Sequence, residues 1–278
     1  MLKNRKWGWR MDGRFVSAAG AIAREAGQFL KTFSDTYGLE VERKGNYNDF
    51  VTKADRQSQQ LIAKRLKAAF PEHRFVGEED GLSDGEVAEI LNRDEYCWVC
   101  DPLDGTVNYI HRLGLYAVSV GLVRGGKAVA GAIYLPEWEE LYTAERGGGA
   151  CCNGFSIQSS TCSELSRAFL TADVAGANPT LKKSNLERIM RVATASGGLR
   201  ILGSCCVALA QTACGRQDGY WSMGAHAWDV AAGVVILEEA SCAVTNIYSE
   251  PFDFDMRGGI LCAAPGLKGA FREVMGRP

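Results

Sequence analysis

A run of strand-forming residues, Tyr96-Cys97-Trp98-Val99-Cys100, leads directly into Asp101-Pro102-Leu103-Asp104-Gly105-Thr106. This junction constrains the fold more tightly than any other stretch. The apolar run reads as a buried strand, and its C-terminal end delivers two carboxylates. Pro102 fixes φ and sets the turn between them in advance. Carboxylates suit hard divalent cations such as Mg²⁺, and the Leu103 carbonyl between the acids is a further oxygen ligand. After Gly105 and Thr106 the chain is set to begin a short helix, whose free N–H groups suit a phosphate. Cations beside an anion cradle are equipment for phosphate-ester hydrolysis.

Alone, the hexapeptide would read as a surface Asp-Pro turn followed by an Asp-Gly turn. Two further acidic segments argue otherwise. Glu78 and Glu79 stand in Gly77-Glu78-Glu79-Asp80, and Asp229 stands in Trp228-Asp229-Val230-Ala231-Ala232-Gly233. An acidic loop is usually solvated and a Trp-Asp pair usually caps a helix, but the three occur together and in order. Glu78, Asp101, Asp104 and Asp229 each fall where a strand ends or a helix begins, with a helix expected to start at Asp229. Converging acids repel one another and hold their protons more tightly; divalent cations remove that cost.

These segments, with Lys44 and Val51-Thr52-Lys53-Ala54-Asp55, resemble the inositol monophosphatase family of Mg²⁺-dependent, lithium-sensitive phosphatases. The resemblance spans nearly the whole chain. It implies a layered αβαβα sandwich of the inositol monophosphatase/fructose bisphosphatase type and two or three Mg²⁺ per subunit. It implies that Glu78, Asp101 and the Leu103 carbonyl hold the first ion, and that Asp101 bridges to a second completed by Asp104 and Asp229. Thr106 and Asp55 would orient the attacking water, with Glu78 beside them in the catalytic set. Gly105 and Thr106 would offer N–H groups to the phosphate. Gly203, Ser204 and Cys205 would wall the substrate, with Asp104 and Asp229. The family places an acid seven residues before Asp229, and here that position is Ser222. Hydrolysis of inositol monophosphates is the expected activity. The Ser222 departure keeps open another small ester (a sugar phosphate, histidinol phosphate or a 3′-phosphonucleotide), and a regulatory binding protein on this scaffold is the alternative of a different class.

Length and charge narrow the partners. A chain of 278 residues, 46% hydrophobic, can bury a sizeable core, and a formal net charge of −2 creates no global field for nucleic acid or membrane. The basic cluster Lys3, Arg5, Lys6, Arg10 and Arg14 reads as a solvated N-terminus. No apolar run reaches the roughly 20 residues that span a bilayer, and the N-terminal segment lacks the apolar core of a secretory signal. A cytoplasmic protein is therefore expected, with its ten cysteines as reduced thiols. Cys97 and Cys100 are three apart on a strand, hence on opposite faces, and read as packing residues. The vicinal pairs Cys151-Cys152 and Cys205-Cys206 read the same way. The expected partner is a small-molecule phosphate monoester, and the resemblance implies a homodimer.

The order of elements gives the architecture. Helical spacing covers about Phe15 to Thr36 and about Ala54 to Phe70, where Pro71 stops the second helix. Between them, Lys44-Gly45-Asn46-Tyr47-Asn48-Asp49 reads as a loop or hairpin over the site. Val118-Val120-Leu122 and Val129-Gly131-Ile133 flank Gly125-Gly126, a hairpin signal, and a strand follows at Leu141–Thr143. The second half alternates: a helix near 186–196, a strand at 199–202, a helix from 204 to 215, strands at Tyr220, Val244 and Ile260. An α+β half over residues 1–155, carrying most metal ligands, joined to an α/β half over 156–278, carrying Asp229 and the substrate wall, is expected.

Overall fold

The computed structural model describes residues 13–37, 41–43, 50–174, 179–248 and 250–276. The basic residues Lys3, Arg5, Lys6 and Arg10 and the Lys44–Asp49 loop lie outside the described residues. The chain opens with helix α1 (Arg14–Tyr37), the short strands β1 (Val41–Arg43) and β2 (Phe50–Thr52), and helix α2 (Lys53–Ala69). Strand β3 (Arg74–Gly77), helix α3 (Asp84–Leu91), strand β4 (Cys97–Asp104) and helix α4 (Thr106–Ile110) follow. Five strands come next: β5 (Ala117–Arg124), β6 (Lys127–Leu135), β7 (Glu140–Glu145), β8 (Ala150–Cys152) and β9 (Phe155–Ser156). The second half runs β10 (Phe169–Ala172), α5 (Pro179–Ala195), β11 (Gly198–Ile201), α6 (Cys205–Ala213), β12 (Gly219–Ser222), α7 (Ala227–Glu239), β13 (Ala243–Thr245), β14 (Ile260–Ala263) and α8 (Lys268–Met275).

Alternation along the strands builds the layers. In β4, Trp98 and Cys100 face the core shared with Phe15, Ile22, Leu30 and Ile62 of α1 and α2. Cys97 and Val99 face the opposite core, shared with Leu209 of α6 and Val235 of α7. The two thiols therefore do point to opposite faces. In β12, Tyr220 joins the α6–α7 core, while Trp221 turns to a third core with Val192 of α5 and Phe271 of α8. The result is an α/β sandwich of five layers: α1/α2, a seven-stranded sheet (β3-β4-β5-β6-β7-β8-β9), α6/α7, a five-stranded sheet (β11-β10-β12-β14-β13), and α5/α8. Both sheets are mixed. β3 and β4 are parallel within an otherwise antiparallel meander, and β10 is parallel to both β11 and β12.

The β5–β6 turn has Gly125 and Gly126 at φ 56° and 70°, the left-handed pair that a tight hairpin needs. A second glycine pair sets the height of α7. Gly121 and Gly131 are cross-strand partners, and a Cβ on either would lie 2.7 Å or 2.6 Å from the Ala232 backbone. The helix therefore rests directly on the sheet, with no side chain between.

Candidate metal centre and active site

β4 does not end at Cys100. It continues through the acidic motif, buried at every position. Asp101 pairs with Ser119 and Asp104 with Ala117, so three steps on β4 match two on β5. This bulge replaces the expected turn: Pro102 donates nothing to a ladder, so it is accommodated where the pairing is already broken. The Leu103 N–H donates to Asp101 Oδ1 (2.9 Å), and Ser58 of α2 donates to the Pro102 carbonyl (2.9 Å). Gly105 then turns with φ 87°. A Cβ there would meet the Leu115 carbonyl at 2.8 Å, so both space and dihedral require glycine.

Asp104 reaches across to the second half. It accepts from the Ser204 hydroxyl, from the Cys206 N–H (2.7 Å) and from the Cys205 N–H (3.2 Å). Ser204 is the N-cap of α6 and also accepts from the Val207 N–H. The carboxylate thus sits on the positive end of a helix. Asn108 of α4 ties the same regions together, donating to the Leu115 and Leu202 carbonyls at 2.7 and 2.8 Å. Gly203, left-handed at φ 70°, packs against Asn108.

Helix α7 starts at Ala227 with His226 as its N-cap, two residues earlier than expected. The apolar Ala-Trp pair hides this start, because the cap is a histidine and not a short polar residue. Asp229 lies in the first turn and accepts from the His226 N–H at 2.7 Å. The His226 ring stacks on Trp228 and meets Asp84 Oδ1 at 2.7 Å through Nδ1. Asp84 carried no sequence signal for this role, since its partner is 142 residues away.

Glu78 is in the turn after β3 and within hydrogen-bonding reach of Asp101. Gln59 of α2 clamps this turn: its Nε2 donates to Asp80 (2.8 Å) and its Oε1 accepts from the Glu79 N–H (2.9 Å). Asp55, fully buried in the first turn of α2, accepts from the Thr106 hydroxyl at 3.1 Å, and Thr106 also reaches the Leu103 carbonyl at 3.1 Å.

One carboxylate oxygen from each of Asp101, Asp104 and Asp229 lies within 4.8 Å of the others. Among the described residues no lysine or arginine is paired with any of the three. Burial, then repulsion from Glu78, Asp104 and Asp229, pushes Asp101 well above the usual carboxylate range. Burial lifts Asp104 to about 6 against the pull of its Ser204, Cys206 and Cys205 bonds. Burial and the charge of Asp104 lift Asp229 to about 7. A carboxylate cluster with no lysine or arginine paired with it among the described residues is suited to hard divalent ions.

Ser222 departs from expectation. It is fully buried; its hydroxyl donates to Asp173 Oδ2 (2.8 Å) and accepts from the Gly224 N–H (3.1 Å). Serine is too short to leave the strand end, so it presents no surface to a substrate. Ser204 and Cys205 likewise serve first as the cap and first turn that hold Asp104.

The folded chain is thus a five-layer α/β sandwich with a cluster of three carboxylates, able to hold a metal ion, where its two sheets meet through α6 and α7. It belongs to the inositol monophosphatase family, whose model matches residues 13–275. An inositol-1-monophosphatase of Mesorhizobium japonicum is 38% identical over 231 residues, 81% of this chain and 82% of the relative. The Nus factor SuhB of Vibrio cholerae is 33% identical over 265 residues, 93% of this chain and 95% of the relative. The crystal structure of extragenic suppressor protein suhB from Bartonella henselae superposes with a TM-score of 0.85 at 30% identity, covering 95% of this chain and 99% of that one. Among the described residues no helix is long and apolar enough to cross a membrane.

Proposed function

We propose that the chain hydrolyses inositol monophosphates to inositol and phosphate, using Mg²⁺ held by Glu78, Asp101, the Leu103 carbonyl, Asp104 and Asp229. The observation that carries this reading is the convergence of Asp101, Asp104 and Asp229 within 4.8 Å, with no lysine or arginine paired with them among the described residues. Bound there, Mg²⁺ supplies positive charge for the phosphate oxygens and makes a nearby water more acidic.

The chain's own residues supply the rest. The Thr106 hydroxyl bonds to Asp55 at 3.1 Å, so Thr106 Oγ1 can take a proton from an attacking water while passing its own to the buried carboxylate. The Gly105 and Thr106 N–H groups, at the opening of α4, bind the phosphate. Gly203, Ser204 and Cys205 line the side from which the alcohol leaves. No thiol or imidazole nucleophile is required by this route; in the metal-free chain burial, then the neighbouring carboxylates, hold the Cys205 and Cys206 thiols above the ordinary thiol range. Lithium sensitivity, a homodimeric state and a cytoplasmic location complete this reading.

Phosphate release from inositol 1-phosphate, histidinol phosphate, a sugar phosphate and a 3′-phosphonucleotide, each with Mg²⁺ or with EDTA, tests it. Mg²⁺-dependent release, highest from the inositol ester, is the expected result. A tenfold preference for another ester would move the substrate and keep the chemistry. The relative named Nus factor SuhB supports a second reading, a regulatory binding protein on this scaffold. No release from any ester would favour it.

A further inference from the structure

The sequence position expected to face the alcohol is closed, because Ser222 is buried and its hydroxyl is given to Asp173. The acid on the other end of that bond stands at a special place in the fold. β10 lies between β11 and β12 and runs parallel to both. The connection from β10 to β11 passes through α5 in the outer core, and the chain leaves β12 for α7 in the inner core. The chain therefore leaves the neighbouring C-terminal ends of β10 and β12 in opposite directions. Open α/β sheets bind ligands at such switch points. Asp173 is the first residue after β10, and Ser222 is the last of β12.

Several contacts hold Asp173 at this point. Its N–H donates to the Trp221 carbonyl at 3.2 Å, and Asn185 of α5 donates to its carbonyl. Its side chain is fixed by Ser222 through Oδ2 alone. No hydrogen bond among the described residues reaches Oδ1, and the residue is half-buried. Cys205 is near both this point and the three-acid cluster. The Cys205 N–H bonds Asp104 at 3.2 Å, and its thiol feels the charges of Asp229, Asp104 and Asp173 together.

We infer that Asp173, tethered by Ser222, is the specificity-determining acceptor for the alcohol half of the substrate, selecting an alcohol that presents hydroxyl donors over one that does not. The assignment rests on the phosphatase reading above and deepens it. Asp173 receives a substrate hydroxyl on Oδ1, and Ser222 is a positioning residue that keeps Oδ2 occupied. A hydrogen bond to a charged acceptor contributes enough to change selectivity by about tenfold to a hundredfold.

The test is the ratio of kcat/KM for inositol 1-phosphate to kcat/KM for 4-nitrophenyl phosphate, whose alcohol carries no further hydroxyl, measured with Mg²⁺ in the full chain. In Asp173→Asn the amide N–H₂ opposes the substrate donors, and the ratio is expected to fall at least about tenfold. Ser222→Ala leaves the charge but frees the carboxylate, so the ratio falls by less; this variant carries the test if Asp173→Asn does not fold. A ratio within about twofold of wild type in both folded variants, including equal loss on both esters, overturns the inference and leaves the phosphatase reading standing. Wild-type hydrolysis of the aryl ester with none of the inositol ester overturns the inositol assignment and this inference together. No hydrolysis of either ester overturns the phosphatase reading itself.

Discussion

Stripping the metal should make the stability of this protein fall as pH rises, and Mg²⁺ should reverse the trend. The perturbation is pH at two metal levels, EDTA and saturating Mg²⁺. Asp104 moves from 3.8 to about 6 and Asp229 from 3.8 to about 7 on folding. Between about pH 4 and pH 7 the native chain therefore holds protons that the unfolded chain has lost, and the unfolding free energy drops through that window. Each tenfold change in proton affinity corresponds to about 1.4 kcal/mol. The two acids repel each other, so their titrations are coupled, and the combined loss is on the order of 5 kcal/mol. At about 2–4 °C per kcal/mol for a chain of this size, that is on the order of 10 °C in Tm. His73 works in the opposite sense. Burial and then Arg14 lower its pKa, so its contribution rises with pH. The slope in EDTA alone is thus a mixture, and the difference between Mg²⁺ and EDTA isolates the site. Thermal melts followed by circular dichroism at about pH 5 and about pH 8 should show a Mg²⁺-induced gain in Tm that is clearly larger at the higher pH. An equal or smaller gain at the higher pH would refute the reasoning, as would the same gain in an Asp104→Asn/Asp229→Asn double variant.

Three further outcomes follow from the geometry. Asp101→Asn removes the carboxylate nearest to Glu78 and should cut turnover at least about a hundredfold in a phosphate-release assay, whereas near-normal turnover would show that Asp101 holds no essential ion. Asp55→Asn keeps the shape but not the basicity of the group that Thr106 bonds; kcat should fall by about 10²–10³-fold with KM little changed, and a change confined to KM would exclude the relay. Gly131→Ala drives a Cβ to within 2.6 Å of the Ala232 Cα; urea unfolding should record a loss of about 1–3 kcal/mol, with lowered activity because Asp229 rides on the displaced helix, and unchanged stability would mean that α7 does not rest on the sheet as described.

The local chemistry of the centre was legible along the chain. Asp101, Pro102, Asp104 and Gly105 are near neighbours, and their geometry is short-range: a fixed φ, a left-handed glycine, a helix start. Glu78, Asp101, Asp104 and Asp229 could be grouped because each falls where a strand ends or a helix begins, in segments that together and in that order resemble one family, and converging acids repel one another unless a cation lies among them. Periodicity likewise located α1, α2 and the β5–β6 hairpin, whose patterns repeat over many residues. It passed over α3, β8, β9 and α8, which are short and take their order from packing.

What sequence alone determined is which residues carry charge, where the backbone must turn and which face of each strand is apolar, since bond geometry and side-chain chemistry are local properties. Only the tertiary structure decided that β4 runs through its acids as a bulge, that Asp104 is secured by the N-terminus of α6, and that Ser222 turns away and presents Asp173. The last two depend on partners 49 to 102 residues apart, and such contacts form only when the burial of whole layers brings the segments together.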